Sequence, residues 1–224
     1  MEIGILGGTG PAGSALAVRL ASVGHEVRVG SRSKYRAMEA VDHLLELWPD
    51  HQLDISAGDN DYAASAELVV IATPWDAAAI TARSVASHLD GKVVITMANA
   101  LDRVGHEFIP LIPPRGSVAA SVQAAVRGCR VAAAFQHVPA KELGDISGPV
   151  DSDVMICSDH SSATEVVTGI VNSIPGFRGL DCGELSNATA IEAFTAVLLQ
   201  LNVRYRTRVA LKLVGIEADD AGGG

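Results

Sequence analysis

Two rhythms of apolar and polar positions run through the first 140 residues of the chain. Short Val- and Ile-rich runs near Glu2 to Gly7, Glu26 to Gly30, Leu68 to Thr73, Lys92 to Met97 and Arg130 to Phe135 have the length and branched content of buried strands. Between them, Pro11 to Val23, Ser33 to Trp48, Trp75 to His88 and Ser117 to Val126 carry apolar residues at helical spacing. Leu16, Leu20 and Val23 mark one side of the first of these, as in a helix lying on a sheet. A weaker strand near Asp54 to Ala57 completes the first half of the pattern. Strands alternating with crossover helices predict an α/β fold with a Rossmann-type, doubly wound parallel sheet.

The texture changes after Pro139. A Gly-, Pro- and Asp-bearing loop from Gly144 to Asp153 precedes an apolar run to Cys157. A helical stretch from Ser162 to Asn172, a short segment from Phe177 to Cys182 and a long helical pattern from Leu185 to Val203 follow. This texture predicts a nucleotide-binding domain over residues 1–140 and a small C-terminal α/β lobe over 141–216, packed at the sheet edge and closing the cleft. The acidic, glycine-ended residues 217–224 read as a disordered tail.

Composition narrows the class. The 224 residues are 48% apolar, enough for a substantial core, and 26 acidic against 17 basic residues give a net charge of −9, which argues against a nucleic-acid partner. Cys129, Cys157 and Cys182 are far apart and outside any C-x-x-C spacing, so neither a disulfide framework nor a zinc site is expected. Asn187, Glu192 and Gln200 interrupt the longest helical pattern, which argues against a membrane span. Met1 leads directly into the apolar run Ile3 to Leu6 without a secretory pattern, so a cytoplasmic protein is expected.

The strongest local signal is Gly8-Thr9-Gly10-Pro11-Ala12-Gly13, a G-x-G-x-x-G run directly after a strand and opening a helix. In that setting Gly8 serves the tight turn, Gly10 lets the backbone approach a pyrophosphate and Gly13 lets helix and strand press together. The helix N-terminus then points free N–H groups and its positive dipole end at the phosphates. Pro11 suits the first helical position, where no donor is lost. At the end of the second strand, where an NAD enzyme offers an acid to the ribose, the chain reads Ser31-Arg32-Ser33-Lys34-Tyr35-Arg36 with no acid between Glu26 and Glu39. Hydroxyl and guanidinium donors there favour the 2′-phosphate of NADP, with Arg32 as the clamp and Arg36 or Lys34 adding charge; the plainer reading is a solvated basic helix face. Trp75, at the carboxyl edge of the fourth strand, is a candidate cofactor contact or a buried helix-start residue. Ala79, one turn on, is expected to face the same cleft.

These residues, with others downstream, resemble the NADPH-dependent oxidoreductases of the deazaflavin coenzyme F420. The matching pieces are Leu6 to Gly10, Val29 to Arg32, Thr73-Pro74-Trp75, His137-Val138-Pro139-Ala140, and Leu180 to Gly183 leading into Leu185-Ser186-Asn187. The resemblance implies a homodimer that transfers hydride reversibly between NADP(H) and coenzyme F420. It implies phosphate and ribose contacts at Thr9, Gly10, Pro11, Ala12, Ser31, Arg32 and Arg36. Contacts nearer the nicotinamide fall on Trp75, Ala79, Leu101 and Ala140, and deazaflavin-lining residues on Ser186 and Asn187.

Hydride exchange between two redox rings asks the protein mainly to hold ring faces together and exclude water. Reduction of a ketone or imine by NADPH, the competing enzymatic reading, needs a proton donor, for which His137 and Lys141 are the candidates. A third reading is a nonenzymatic NADP-sensing domain. Arg204, Arg206 and Arg208 share one face if extended, which suits an anionic deazaflavin tail; an ordinary solvated edge explains them equally well.

Overall fold

A computed structural model describes residues 1–216. The first half alternates β1 (Glu2–Leu6), α1 (Pro11–Ser22), β2 (Glu26–Ser31), α2 (Lys34–Leu47), β3 (Ile55–Asp59), α3 (Asn60–Ala64) and β4 (Leu68–Ile71). Then come α4 (Trp75–Ser84), α5 (Ala86–Leu89), β5 (Val93–Thr96), the hairpin of β6 (Leu101–Val104) and β7 (Glu107–Pro110), α6 (Val118–Ala125) and β8 (Arg130–Ala133). The remainder comprises α7 (Ala140–Gly144), β9 (Ser152–Ser158), α8 (Ser161–Ser173), β10 (Phe177–Asp181), a 3₁₀ turn at Leu185–Asn187 and α9 (Ala188–Tyr205).

Eight strands form one sheet in the order β10-β9-β8-β5-β4-β1-β2-β3. From β3 to β8 all neighbours are parallel. The strand order reverses between β1 and β4, and ligands of open α/β sheets bind beyond the carboxyl ends of the strands at such a point. The inner strands β4 and β5 are buried along their whole length, as their Val- and Ile-rich sequences require when helices cover both faces. Two apolar clusters result. One joins β1 to Leu16 and Leu20 of α1, to α2 and to α8; the other packs α4, α6 and α9 on the opposite face.

The C-terminal strands extend this same sheet rather than building a separate one. β9 runs antiparallel to β8, with Ala132 opposite Ser158, and β10 is parallel to β9. The expected helix from Trp75 to His88 breaks at Val85, which leaves helical geometry at φ −116° as its side chain is buried. The hairpin at 101–110 was not anticipated, and neither were the five-residue helices α3 and α7. The tail expected at 217–224 lies outside the described residues.

A C-terminal strap crosses the outer strands. The backbone N–H of Asp153 donates to the Leu211 carbonyl, and the Leu213 N–H donates to the Asp153 carboxylate at 2.6 Å. Arg178 holds the same carboxylate with two N–H groups and also donates to the Leu213 and Ile216 carbonyls. Asp153 is fully buried, and although burial alone raises a carboxyl pKa, the Arg178 and Leu213 donors together hold it below the ordinary carboxylate value.

Candidate active site

The turn after β1 is the structural centre of the cleft. Gly7, rather than Gly8, takes the left-handed conformation, with φ +75°. Gly8 is needed for room instead: a Cβ there would lie 2.9 Å from Val29 Cγ1. A Cβ on Gly13 would stand 2.8 Å from both the Gly7 carbonyl oxygen and the Gly8 Cα, so only glycine lets α1 sit this close to the turn. Gly10 precedes the helix in extended conformation, Pro11 fills the first position, and no side chain caps the end. The first-turn N–H groups of α1 therefore face the cleft with the positive end of the helix dipole.

Two cavities open from this turn. The larger, about 690 Å³, is bordered by Gly7, Thr9 and Gly10, by Ser31, Arg32, Ser33 and Arg36 beyond β2, and by Asn60. Its far wall is the α4 face formed by Ala77, Ile80, Thr81 and Ser84. The smaller, about 300 Å³, lies between Gly10 to Ala12, the loop Ala72 to Trp75 and the loop Met97 to Asn99. Gly10 and Ala72 to Pro74 line both, so the cavities share one floor. Thr73 Oγ1 and Asn60 Oδ1 are buried at this cleft without a hydrogen-bond partner among the described residues. Unpaired buried oxygens are costly unless a ligand satisfies them, so the cleft is chemically suited to a polar cofactor.

The charge pattern fits a phosphate at the rim. Asp59 lies beside Ser31 in the β2–β3 register, but its carboxylate is turned away to accept the Tyr62 N–H at 2.8 Å as the N-cap of α3. Arg32 and Arg36 remain the charged side chains on that wall. The smaller cavity is different: among the described residues lining it, none is titratable, and its hydrogen-bonding side chains are Thr73, Asn99 and the indole N–H of Trp75.

The family model described as "NADP oxidoreductase coenzyme F420-dependent" matches residues 2–100. The chain is 39% identical over 215 residues to an F420-dependent NADP reductase of Methanothermobacter marburgensis, covering 94% of this chain and 96% of the relative. It is 34% identical to the F420-dependent NADP reductase of Methanocaldococcus jannaschii, covering 97% and 100%. The chain belongs to this family. A crystal structure of a candidate F420-dependent NADP reductase from Arthrobacter sp. FB24 shares the fold, with a TM-score of 0.79 at 24% identity, covering 95% of this chain and 100% of that one.

Within this member of the family, the cleft brings together Thr9, Gly10, Pro11, Ala12, Ser31, Arg32, Arg36 and Trp75. Lys34 is exposed and outside both linings. Ala79 is also outside them: Ala77, Ile80, Thr81 and Ser84 follow the helical repeat on one face of α4, and Ala79 lies well off it. Leu101 opens β6 and Ala140 opens α7, next to the cleft loops in sequence but in neither lining.

Ser186 and Asn187 are not brought to the cleft. Because β9 runs antiparallel to β8, the ends of β9 and β10 emerge at the amino edge of the parallel strands, and the exposed 3₁₀ turn follows there, with Asn187 Nδ2 donating to the Cys182 carbonyl. Arg204, Arg206 and Arg208 do not form an extended face: Arg204 lies in the last turn of α9 opposite Glu107, Arg206 is left-handed, and Arg208 pairs with Glu142 at 3.1 Å.

His137 is 4% exposed and borders neither cavity. The turn before it passes through Phe135 at φ +67°, whose ring packs 6.4 Å from that of Phe177. His137 Nε2 donates to the Asp153 carbonyl at 2.9 Å, and burial, the largest effect, pushes its pKa below the ordinary histidine value. The residues not read from sequence are Asn60, Thr73 as a lone polar group, Thr81, Ser84 and Asn99. Asn60 and Asn99 each follow the carboxyl end of a parallel strand, which is the signal that would have found them.

Proposed function

We propose that the chain catalyses reversible hydride transfer between NADP(H) and coenzyme F420. The observation that carries this reading is the smaller cavity, which joins the nucleotide groove and has no acid or base among the described residues that line it. Reducing the deazaflavin with NADPH also takes up one proton, but at a ring nitrogen away from the carbon that receives the hydride, so this exchange, unlike ketone or imine reduction, needs no acid beside the reacting carbon. The nicotinamide ring supplies the hydride chemistry when bound. The protein's own part is to receive a pyrophosphate on the Thr9 to Ala12 turn, to clamp a 2′-phosphate with Arg32 and Arg36 beside Ser31, and to exclude water with Pro74, Trp75 and Met97.

Residues 141–216 belong to the same reading as the segment that closes the cleft from the side of β8. Its support is Thr195 of α9, whose Oγ1 donates to Asn99 Oδ1 at 3.2 Å. We also propose a homodimer. Ala190, Phe194, Val197 and Leu201 fall along one side of α9, and Phe194 and Val197 are 37% and 50% exposed. No helix among the described residues is long and apolar enough to cross a membrane. The three cysteines are free thiols, the state of a reducing compartment, which supports a cytoplasmic enzyme.

The test mixes the protein with NADPH and oxidised coenzyme F420 and follows the visible absorbance of the deazaflavin, with Arg32→Ala as control. Rapid bleaching that weakens in the control is expected. NADPH binding without bleaching would sink the reading.

A further inference from the structure

We propose that Asn99 positions the carboxamide of the nicotinamide and thereby sets which face of the ring is offered for hydride transfer. The inference rests on the NADP(H) reading above. In a cavity otherwise walled by Gly, Ala, Pro and Met, the side chains that can give a flat ring directional contacts are Thr73, Trp75 and Asn99, and of these only the Asn99 amide offers a donor and an acceptor side by side. Few convergent polar groups in an apolar pocket fix the orientation of what binds there.

Asn99 is built to be such a group. Its Nδ2 donates to the Gln136 carbonyl at 2.8 Å, and its Oδ1 accepts from Thr195 Oγ1 at 3.2 Å. Because a backbone carbonyl only accepts, the first contact fixes which end of the amide is nitrogen. Each end then keeps one capacity: a hydrogen on Nδ2 and a lone pair on Oδ1. That pair is complementary to the carbonyl oxygen and NH₂ of a primary carboxamide. Thr195 is itself buried on α9, and its one hydroxyl hydrogen faces three acceptors, of which Asn99 Oδ1 is nearer than the Gln136 and Ile191 carbonyls at 3.4 Å. Thr73 Oγ1, buried and unpartnered, supplies a second polar contact from the neighbouring loop.

The alternative is that Asn99 merely ties the β5 loop to β8 and α9. Calorimetric titration separates the two. NADPH is compared with 2′,5′-ADP, which carries the phosphate groups for the larger cavity and lacks the nicotinamide. Asn99→Ala is expected to weaken NADPH about tenfold, the scale of one lost polar contact, and to leave 2′,5′-ADP unchanged. Thr195→Val, which frees Oδ1 of its anchor, is expected to give a smaller loss of the same kind. With NADPH carrying deuterium on one face of the ring, wild type is expected to transfer from a single face and Asn99→Ala from both. A variant that melts earlier yet keeps the NADPH to 2′,5′-ADP ratio and full facial selectivity would overturn the proposal. Failure of wild type to bind either nucleotide removes the NADP(H) reading and this inference with it.

Discussion

Arg32 and Arg36 stand four residues apart where β2 gives way to α2, and both border the larger cavity. A charge-assisted hydrogen bond to phosphate is worth about 1.5–3 kcal/mol, so Arg32→Ala should raise the dissociation constant for NADPH by about 10- to 100-fold. The dissociation constant for NADH should barely move, and fluorescence titration of both nucleotides checks the contrast. These residues were legible because a strand end and the absence of an acid are local facts of sequence. Asn99 was not, because its importance comes from Gln136 and Thr195, which lie far along the chain and meet it only in the folded sheet. Ser31 and Arg32 needed one strand to be found; Asn60 needed the knowledge that β3 lies beside β2.

At the scale of elements, α6 and α9 are joined by a single buried carboxylate. Glu192 of α9, 4% exposed, accepts the N–H groups of Val118 and Ala119 in the first turn of α6, at 2.8 and 3.1 Å. Burial pushes its pKa up to about 7, against the pull of those two donors. Between the ordinary value of 4.5 and about 7 the folded chain keeps a proton that the unfolded chain gives up. This contribution to stability is therefore complete below pH 4.5 and is lost as pH rises through 7. Glu192→Gln stays neutral throughout, so its melting temperature should gain on wild type by roughly 5 °C between about pH 5 and about pH 8. Thermal unfolding of both proteins at the two pH values checks this. The periodic helices and β-branched strands were readable because burial on a sheet imposes both patterns. The 101–110 hairpin was not, since most of its residues, Asp102, Arg103 and Glu107 among them, face solvent and it packs mainly on α9.

For the whole molecule, the parallel part of the sheet follows from alternating strands and helices, but the antiparallel entry of β9 does not. Its sequence is buried like any inner strand, and nothing local distinguishes the two directions. That reversal sets where α9 starts and ends. It rises about 27 Å, from the 3₁₀ turn at the amino edge of the parallel strands to the hairpin near the cleft. Its outward apolar strip should hold two copies together: sedimentation should give twice the chain mass for wild type. The double substitution Phe194→Lys and Val197→Asp should give the single-chain mass with circular dichroism unchanged.

The lining of the smaller cavity also has a kinetic signature. In the proposed arrangement no titratable side chain among the described lining residues stands at the reacting carbon, so the proton that completes the deazaflavin's reduction goes to its ring nitrogen in a step separate from the hydride. Deuterium on the transferred position should slow the single-turnover rate, whereas heavy water should slow it far less. A large solvent isotope effect would instead reveal a proton donor reaching the cavity. The groups that Thr73 and Asn99 supply would then have to be read as part of a relay.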